Sequence, residues 1–98
     1  MFKNFLYILL LFFPFPTISQ SLNIQIIDSL SEEPIPYTNV YFSNNNGLIS
    51  DENGNFELIK SQLSQNDSMH ISMLGYKKSS FLIKDFSDTI INLIQTPI

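Results

Sequence analysis

The chain has 98 residues, a formal net charge of −4 and no cysteine, tryptophan or arginine. The absence of cysteine excludes a disulfide scaffold, a cysteine-based zinc site and a thiol nucleophile. The single histidine, His70, excludes any site that needs two imidazoles. An acidic chain without arginine is a poor nucleic-acid binder, because neutralisation of phosphate charge dominates that affinity.

Residues 1–19 have the pattern of a removable secretory signal peptide. Lys3 provides the positive charge, residues 5–13 form an unbroken apolar run, and two prolines follow. Small residues then occupy the positions required for cleavage after Ser19. A retained membrane anchor is the alternative, but the apolar run is shorter than the ~20 residues that a spanning helix needs. We therefore expect an exported protein of the periplasm, outer membrane or cell surface, with its folded domain at residues 20–98.

Beyond this leader, apolar residues recur with a period of two, which is typical of half-buried β-strands. The pattern predicts seven strands, at residues 22–26, 37–42, 48–50, 55–59, 68–73, 77–83 and 89–94. One helical turn is expected within residues 60–66. The seventh strand is apolar on both faces, which favours a central or well-covered position. Seven short strands separated by turn signals predict an all-β domain, a seven-stranded antiparallel β-sandwich.

The same alternation predicts which side chains face the core. The inward set comprises Thr38, Val40, Phe42, Phe56, Leu58, Met69, Ile71 and Met73. His70 and Ser72 are expected to point outward from the fifth strand. Because the chain has no second histidine and no Gly-x-Ser-x-Gly frame, we expect a surface histidine and a serine that satisfies a local hydrogen bond.

Turn residues mark the connections between the strands. Residues 51–54 (DENG) predict a hairpin turn in which Gly54 adopts the left-handed conformation and Asp51 bonds nearby backbone. A calcium loop is the alternative reading of these oxygen ligands, but the twelve-residue spacing is missing. Gly75 is expected to allow an unusual backbone angle or a close approach of strands. Tyr76 is expected to pack its ring and to bond its hydroxyl to backbone.

Four motifs then occur in an order that resembles one family. They are a first strand that ends in Asp28, residues 33–40 (EPIPYTNV), residues 50–56 (SDENGNF) and residues 71–77 (ISMLGYK). Together they resemble the carboxypeptidase-regulatory-like domain of Bacteroidota envelope proteins, over nearly all of residues 22–95. The resemblance implies a transthyretin-like sandwich without catalytic residues of its own. It also implies a place at the N-terminus of TonB-dependent outer-membrane receptors, although this sequence stops where those proteins continue.

Two tyrosines are the candidate ligand-contact residues. Tyr37 and Tyr41 share the outer face of the predicted second strand, where exposed aromatic rings could contact a carbohydrate or a peptide. Cross-strand packing beside the sheet edge is the favoured alternative. No nucleophile, base and orienting residue form a set in this sequence, so we predict no catalytic residue, cofactor or metal site.

The sequence therefore favours a non-enzymatic exported module with a structural or protein-interaction role in the cell envelope. The expected partner is an envelope protein or a component of an outer-membrane receptor, contacted through loops or by strand addition at a sheet edge. A carbohydrate- or peptide-binding module is one alternative. The other is a truncated remnant of the N-terminal domain of a TonB-dependent receptor.

Overall fold

The computed structural model describes residues 21–97, so the predicted signal peptide at residues 1–19 lies outside the described part of the chain. Seven strands are present: β1 (Ser21–Asp28), β2 (Asn39–Phe42), β3 (Gly47–Ile49), β4 (Asn55–Ile59), β5 (Ser68–Ser72), β6 (Ser79–Leu82) and β7 (Ile90–Leu93). Two short 3-10 turns, Lys60–Gln62 and Ile83–Asp85, follow β4 and β6. All seven predicted strands and the predicted helical turn are confirmed, with small shifts at their ends. No helix within the described residues is long and apolar enough to cross a membrane.

The strands form two sheets, which confirms the predicted β-sandwich. One sheet has the order β4-β1-β7 and the other has the order β3-β2-β5-β6. Four of the five pairings are antiparallel, but β1 and β7 run parallel, with Ile26 beside Ile91. The prediction of an entirely antiparallel sandwich is therefore wrong at this pair. A hairpin forces its two strands to be antiparallel, whereas β1 and β7 are the first and last strands and share no hairpin.

The core lies between the two sheets and is filled by alternating side chains, as the period-two pattern predicts. Its most completely buried apolar members are Ile24, Ile26, Val40, Leu58, Met69, Ile71, Ile83, Ile91 and Leu93. Thr38 is also fully buried, and its hydroxyl donates to the Ile35 carbonyl oxygen at 3.3 Å. The inward prediction is thus confirmed, except that Met73 follows the end of β5 and is partly buried.

The last strand departs from its predicted position. β7 is an edge strand of the three-stranded sheet, and Ile90 on its outer face is 50% exposed. The prediction of a central or well-covered strand is therefore wrong. Its apolar residues on both faces were a weak signal, because much of any folded protein's surface is contributed by apolar atoms.

The turn at residues 51–54 connects the two sheets. β3 pairs with β2 and β4 pairs with β1, so the strands on either side of the turn do not pair with each other. The predicted hairpin is therefore wrong as a pairing, although the turn itself is present. Gly54 has φ +75°, and a Cβ at this position would lie 2.6 Å from the Ile26 carbonyl oxygen. A glycine thus allows the crossing chain to pass directly against β1.

Candidate functional site

Tyr41 lies on the outer face of the four-stranded sheet, as predicted, but its ring already has neighbours within the fold. The centroid of the His70 ring is 5.1 Å from that of Tyr41, at an interplanar angle of 30°. Lys78 places its Nζ 5.0 Å from the centroid of the Tyr41 ring. Cross-strand packing between β2 and β5 therefore accounts for the position of Tyr41, together with a cation–π contact.

Tyr37 does not share the strand face of Tyr41. It precedes β2 and has φ +56°, a conformation that is uncommon for a bulky residue. Its backbone N–H donates to the Asp51 carbonyl oxygen at 3.3 Å, and its side chain is 61% exposed. The expectation that both tyrosines lie on the outer face of one strand is therefore wrong, because the backbone turns between them.

His70 faces outward from β5, as predicted, and is half-buried. Its Nδ1 lies 2.8 Å from the Ser80 hydroxyl on the neighbouring strand β6. Among the described residues, no group of three or more histidine, cysteine, aspartate or glutamate side chains could hold a metal ion. The outer face here therefore offers an aromatic and hydrogen-bonding surface with one cation, formed by Tyr41, His70, Lys78 and Ser80.

The Asp51 carboxylate is used by its own turn. Its Oδ1 accepts the backbone N–H groups of Asn53 at 2.9 Å and Asn55 at 2.8 Å. The Gly54 N–H donates to the Asp51 carbonyl oxygen at 3.0 Å and closes the turn. These bonds are the backbone bonding that the sequence predicts for Asp51, and they give its side chain a structural role.

Sequence reasoning missed the most extensively bonded carboxylate in the described chain. Asp28, the last residue of β1, is only 4% exposed. Its Oδ1 accepts the backbone N–H groups of Leu30 at 2.8 Å and Ser31 at 3.0 Å. Its Oδ2 accepts the Tyr76 hydroxyl at 2.8 Å and the Gln95 side-chain amide at 2.7 Å. One side chain thus links the loop after β1, the loop after β5 and the segment after β7, which we call the Asp28 cluster.

Hydrogen bonds set the acidity of this cluster. The Ser31 N–H, the Tyr76 hydroxyl and the Leu30 N–H stabilise the charged carboxylate, so the pKa of Asp28 lies far below its ordinary value. The same Tyr76–Asp28 bond raises the pKa of the tyrosine, since a deprotonated hydroxyl would lose it. Tyr76 therefore bonds a carboxylate rather than backbone, which corrects the prediction for its hydroxyl.

A family comparison covers this whole arrangement. The model of the family described as "CarboxypepD_reg-like domain" matches residues 25–96. The chain belongs to the CarboxypepD_reg-like domain family. No curated protein and no solved structure matches the chain. The family match confirms the carboxypeptidase-regulatory-like domain drawn from the four motifs, whereas its Bacteroidota source and its receptor setting stay predictions.

Within this CarboxypepD_reg-like domain, the motifs prove to be turn and packing elements. Gly75 has φ +89°, as its predicted conformational role requires, and its carbonyl oxygen accepts the Thr96 N–H at 2.9 Å. That bond and the bridge between Tyr76 and Gln95 bring the two side-chain donors of Asp28 to the same place. The signal that could have identified the cluster was the strand-terminal aspartate of the first motif, read together with the tyrosine of the last.

Proposed function

We propose that this chain is a non-catalytic β-sandwich module of the cell envelope, which acts structurally or by contacting another envelope protein. The observation that carries the proposal is the state of Asp28. A buried carboxylate is a candidate general acid or base, yet both Asp28 oxygens are already engaged by four donors from the fold. Membership of the CarboxypepD_reg-like family, a regulatory type of module, supports the same role.

Export is the part of the proposal that depends on residues 1–19. Mass spectrometry of the protein recovered from the periplasm and membranes of an expression host tests it. We expect a chain that begins at Gln20, because the cleavage pattern ends at Ser19. Recovery of uncleaved protein in the membrane fraction would instead support the anchor alternative.

Partner binding is tested in envelopes of the native host. We expect covalent capture of a specific envelope protein or outer-membrane receptor component when a photo-crosslinking residue is placed on an exposed edge or loop. A crosslinker at a buried position such as Leu58 provides the matched control. Capture of the same proteins from both positions would contradict a specific interaction surface.

The enzyme alternative has its own test. Robust turnover in a broad hydrolase screen, abolished by His70→Ala, would overturn the non-catalytic proposal. The carbohydrate alternative is less well supported, because His70 and Lys78 already contact the Tyr41 ring. Glycan-array binding by the wild type that is lost in the double variant Tyr37→Ala, Tyr41→Ala would nevertheless establish it.

A further inference from the structure

Within residues 21–97 the sandwich has four edge strands, and lysines flank the one at the far end of the four-stranded sheet. β6 follows Lys78 and is followed by Lys84. Lysines beside an edge strand discourage pairing with another strand, because their charges must lose water when a neighbour docks. Lys84 therefore guards the end of β6, whereas the Lys78 Nζ lies over the Tyr41 ring on β2, away from the open edge.

Bonds within the chain also occupy parts of both edges of the three-stranded sheet. At β4, Asn55 donates its N–H to the Asp51 carboxylate and its carbonyl oxygen accepts the Asp51 N–H at 2.9 Å, while Glu57 is exposed. At β7, the carbonyl oxygen of the following residue, Ile94, accepts the Lys77 N–H at 2.8 Å. Intramolecular bonds and charged residues thus occupy parts of these edges.

β3 (Gly-Leu-Ile) carries no charged residue, as is also true of β6 and β7, but among the four described edge strands it alone contains a glycine. Two bonds show which opposed residues of β2 and β3 form hydrogen-bonded pairs. They run from the Phe42 N–H to the Asn46 carbonyl and from the Ser50 N–H to the Thr38 carbonyl. Because hydrogen-bonded and non-hydrogen-bonded pairs alternate along an antiparallel ladder, Leu48 bonds to β2, whereas Gly47 and Ile49 direct their N–H and carbonyl groups to the open side. Within the described part of the chain, no strand lies on that side.

The side chains of β3 make this edge self-complementary. Gly47 and Ile49 lie on the outer face, opposite Tyr41 and Asn39. Ile49 is 62% exposed, and the missing side chain at Gly47 leaves a hollow beside Tyr41. Leu48 points the other way, into a groove between β3 and β4 that is lined by Leu58 and Leu63 and also by Glu57 and Gln62. The strand therefore offers a protruding apolar side chain and a hollow two residues apart.

We propose that β3 pairs antiparallel with β3 of a second copy of this chain, about a two-fold axis at Leu48. In that register Gly47 of each copy lies opposite Ile49 of the other, so four backbone hydrogen bonds form and each isoleucine side chain lies beside the hollow at a glycine. The two Leu48 side chains meet at the axis, next to the grooves between β3 and β4. An interface of this kind is isologous and closes as a dimer.

Charge placement agrees with this register. The acidic residues Asp51 and Glu52 follow β3, and the neutral residues 44–46 (NNN) precede it. Antiparallel pairing about Leu48 sets the Asp51 end of one copy against the asparagine turn of the other. It therefore avoids direct opposition of like charges, which would be destabilising. The three-residue strands make a small contact, so we expect a weak dimer, with a Kd between about 10 μM and 1 mM.

Sedimentation equilibrium of the purified protein, as the host exports and processes it, tests this pairing. We expect reversible dimerisation of the wild type between about 10 μM and 2 mM. Ile49→Lys should raise the Kd at least tenfold, because it places a charge on the edge. Leu82→Lys is the matched control on the other edge of the same sheet, where Leu82 is 42% exposed, and should dimerise like the wild type. A monomeric wild type, or equal loss in both variants, would overturn the proposal.

A second measurement reports the register itself. The chain has no cysteine, so Leu48→Cys introduces a single thiol at the proposed axis. Directly opposed residues of a non-hydrogen-bonded pair have Cα atoms about 4.5 Å apart, within the range that a disulfide spans. Mild oxidation should crosslink Leu48→Cys well before Leu82→Cys at the same concentration. Equal crosslinking rates would overturn the register. Because the experiment uses only this protein, its result does not depend on whether the proposed envelope partner exists.

Discussion

Asp28 and Asp51 perform the same local task in two different regions of the sandwich. Asp28 is the last residue of β1, and Asp51 comes shortly after β3. Each uses one carboxylate oxygen to accept two backbone N–H groups of the next turn. The second oxygen separates them, because Asp28 also accepts bonds from Tyr76 and Gln95, which are 48 and 67 residues away. Asp51 thus has the clearer sequence motif, but its carboxylate makes only local bonds.

The comparison also extends to one glycine in each region. Gly54 closes the Asp51 turn against β1, and Gly75 lies in the loop that carries Tyr76 to Asp28. Both have positive φ, at +75° and +89°. A Cβ at Gly54 would meet backbone oxygen at 2.6 Å, whereas a Cβ at Gly75 would meet nothing within 4 Å. Close backbone packing at Gly54 therefore holds the Asp51 turn in place, whereas hydrogen bonds to the carboxylate hold the Asp28 cluster together.

The largest expected effect comes from Gly54→Ala. The substitution combines left-handed backbone strain with a clash against the Ile26 carbonyl, so we expect a loss of about 3 kcal/mol or more in the free energy of unfolding. Gly75→Ala carries the backbone strain alone and should cost about 1–2 kcal/mol. Urea denaturation of both variants measures the difference. Equal losses would mean that packing does not distinguish the two glycines.

The next largest effect should follow removal of the Asp28 carboxylate. Asp28→Ala leaves two backbone N–H groups, the Tyr76 hydroxyl and the Gln95 amide without their acceptor. All four bonds are partly buried, and the bonds from Tyr76 and Gln95 join distant segments. Asp51→Ala removes two exposed local bonds. We expect the melting temperature to fall further in Asp28→Ala than in Asp51→Ala. The reverse order would refute the distinction between a long-range and a local carboxylate.

A smaller loss is expected for Tyr76→Phe, which deletes one hydroxyl and keeps the ring. The bond to Asp28 is 2.8 Å long and partly buried, so its removal should cost about 1 kcal/mol. Tyr37→Phe is the matched control, because the Tyr37 side chain is 61% exposed. Thermal unfolding should separate the two variants. If both retain the wild-type melting temperature, the Tyr76 bond does not contribute to stability.

The smallest effect is expected from mild acid. Because the folded-state pKa of Asp28 lies below its unfolded-state value of about 3.9, the carboxylate stabilises the fold above that pH and loses its contribution as pH falls towards the folded-state pKa. The difference in unfolding free energy between wild type and Asp28→Asn should therefore be constant from pH 7 to about pH 5 and shrink below it. A difference that grows on acidification would contradict the assigned direction.

Local patterns were enough to predict the seven strands, their inward faces and the conformations of Gly54 and Gly75. These features depend on neighbouring residues, since side chains alternate along a strand and only certain residues tolerate positive φ. The same patterns failed for the outer face shared by Tyr37 and Tyr41, because the backbone at Tyr37 leaves the strand. They also failed for β7, because apolar composition does not reveal which sheet edge a strand occupies.

The sequence by itself determined the fold class and the family, because alternation, turn residues and four ordered motifs are written locally along the chain. Only the tertiary structure decided that β1 and β7 run parallel, that the turn at Gly54 crosses between sheets, and that Asp28 collects donors from Tyr76 and Gln95. Only it placed β3, with its glycine beside an exposed isoleucine, at an open edge of a sheet. Each of these outcomes depends on which distant segments become neighbours, and that choice is made by packing around a common core.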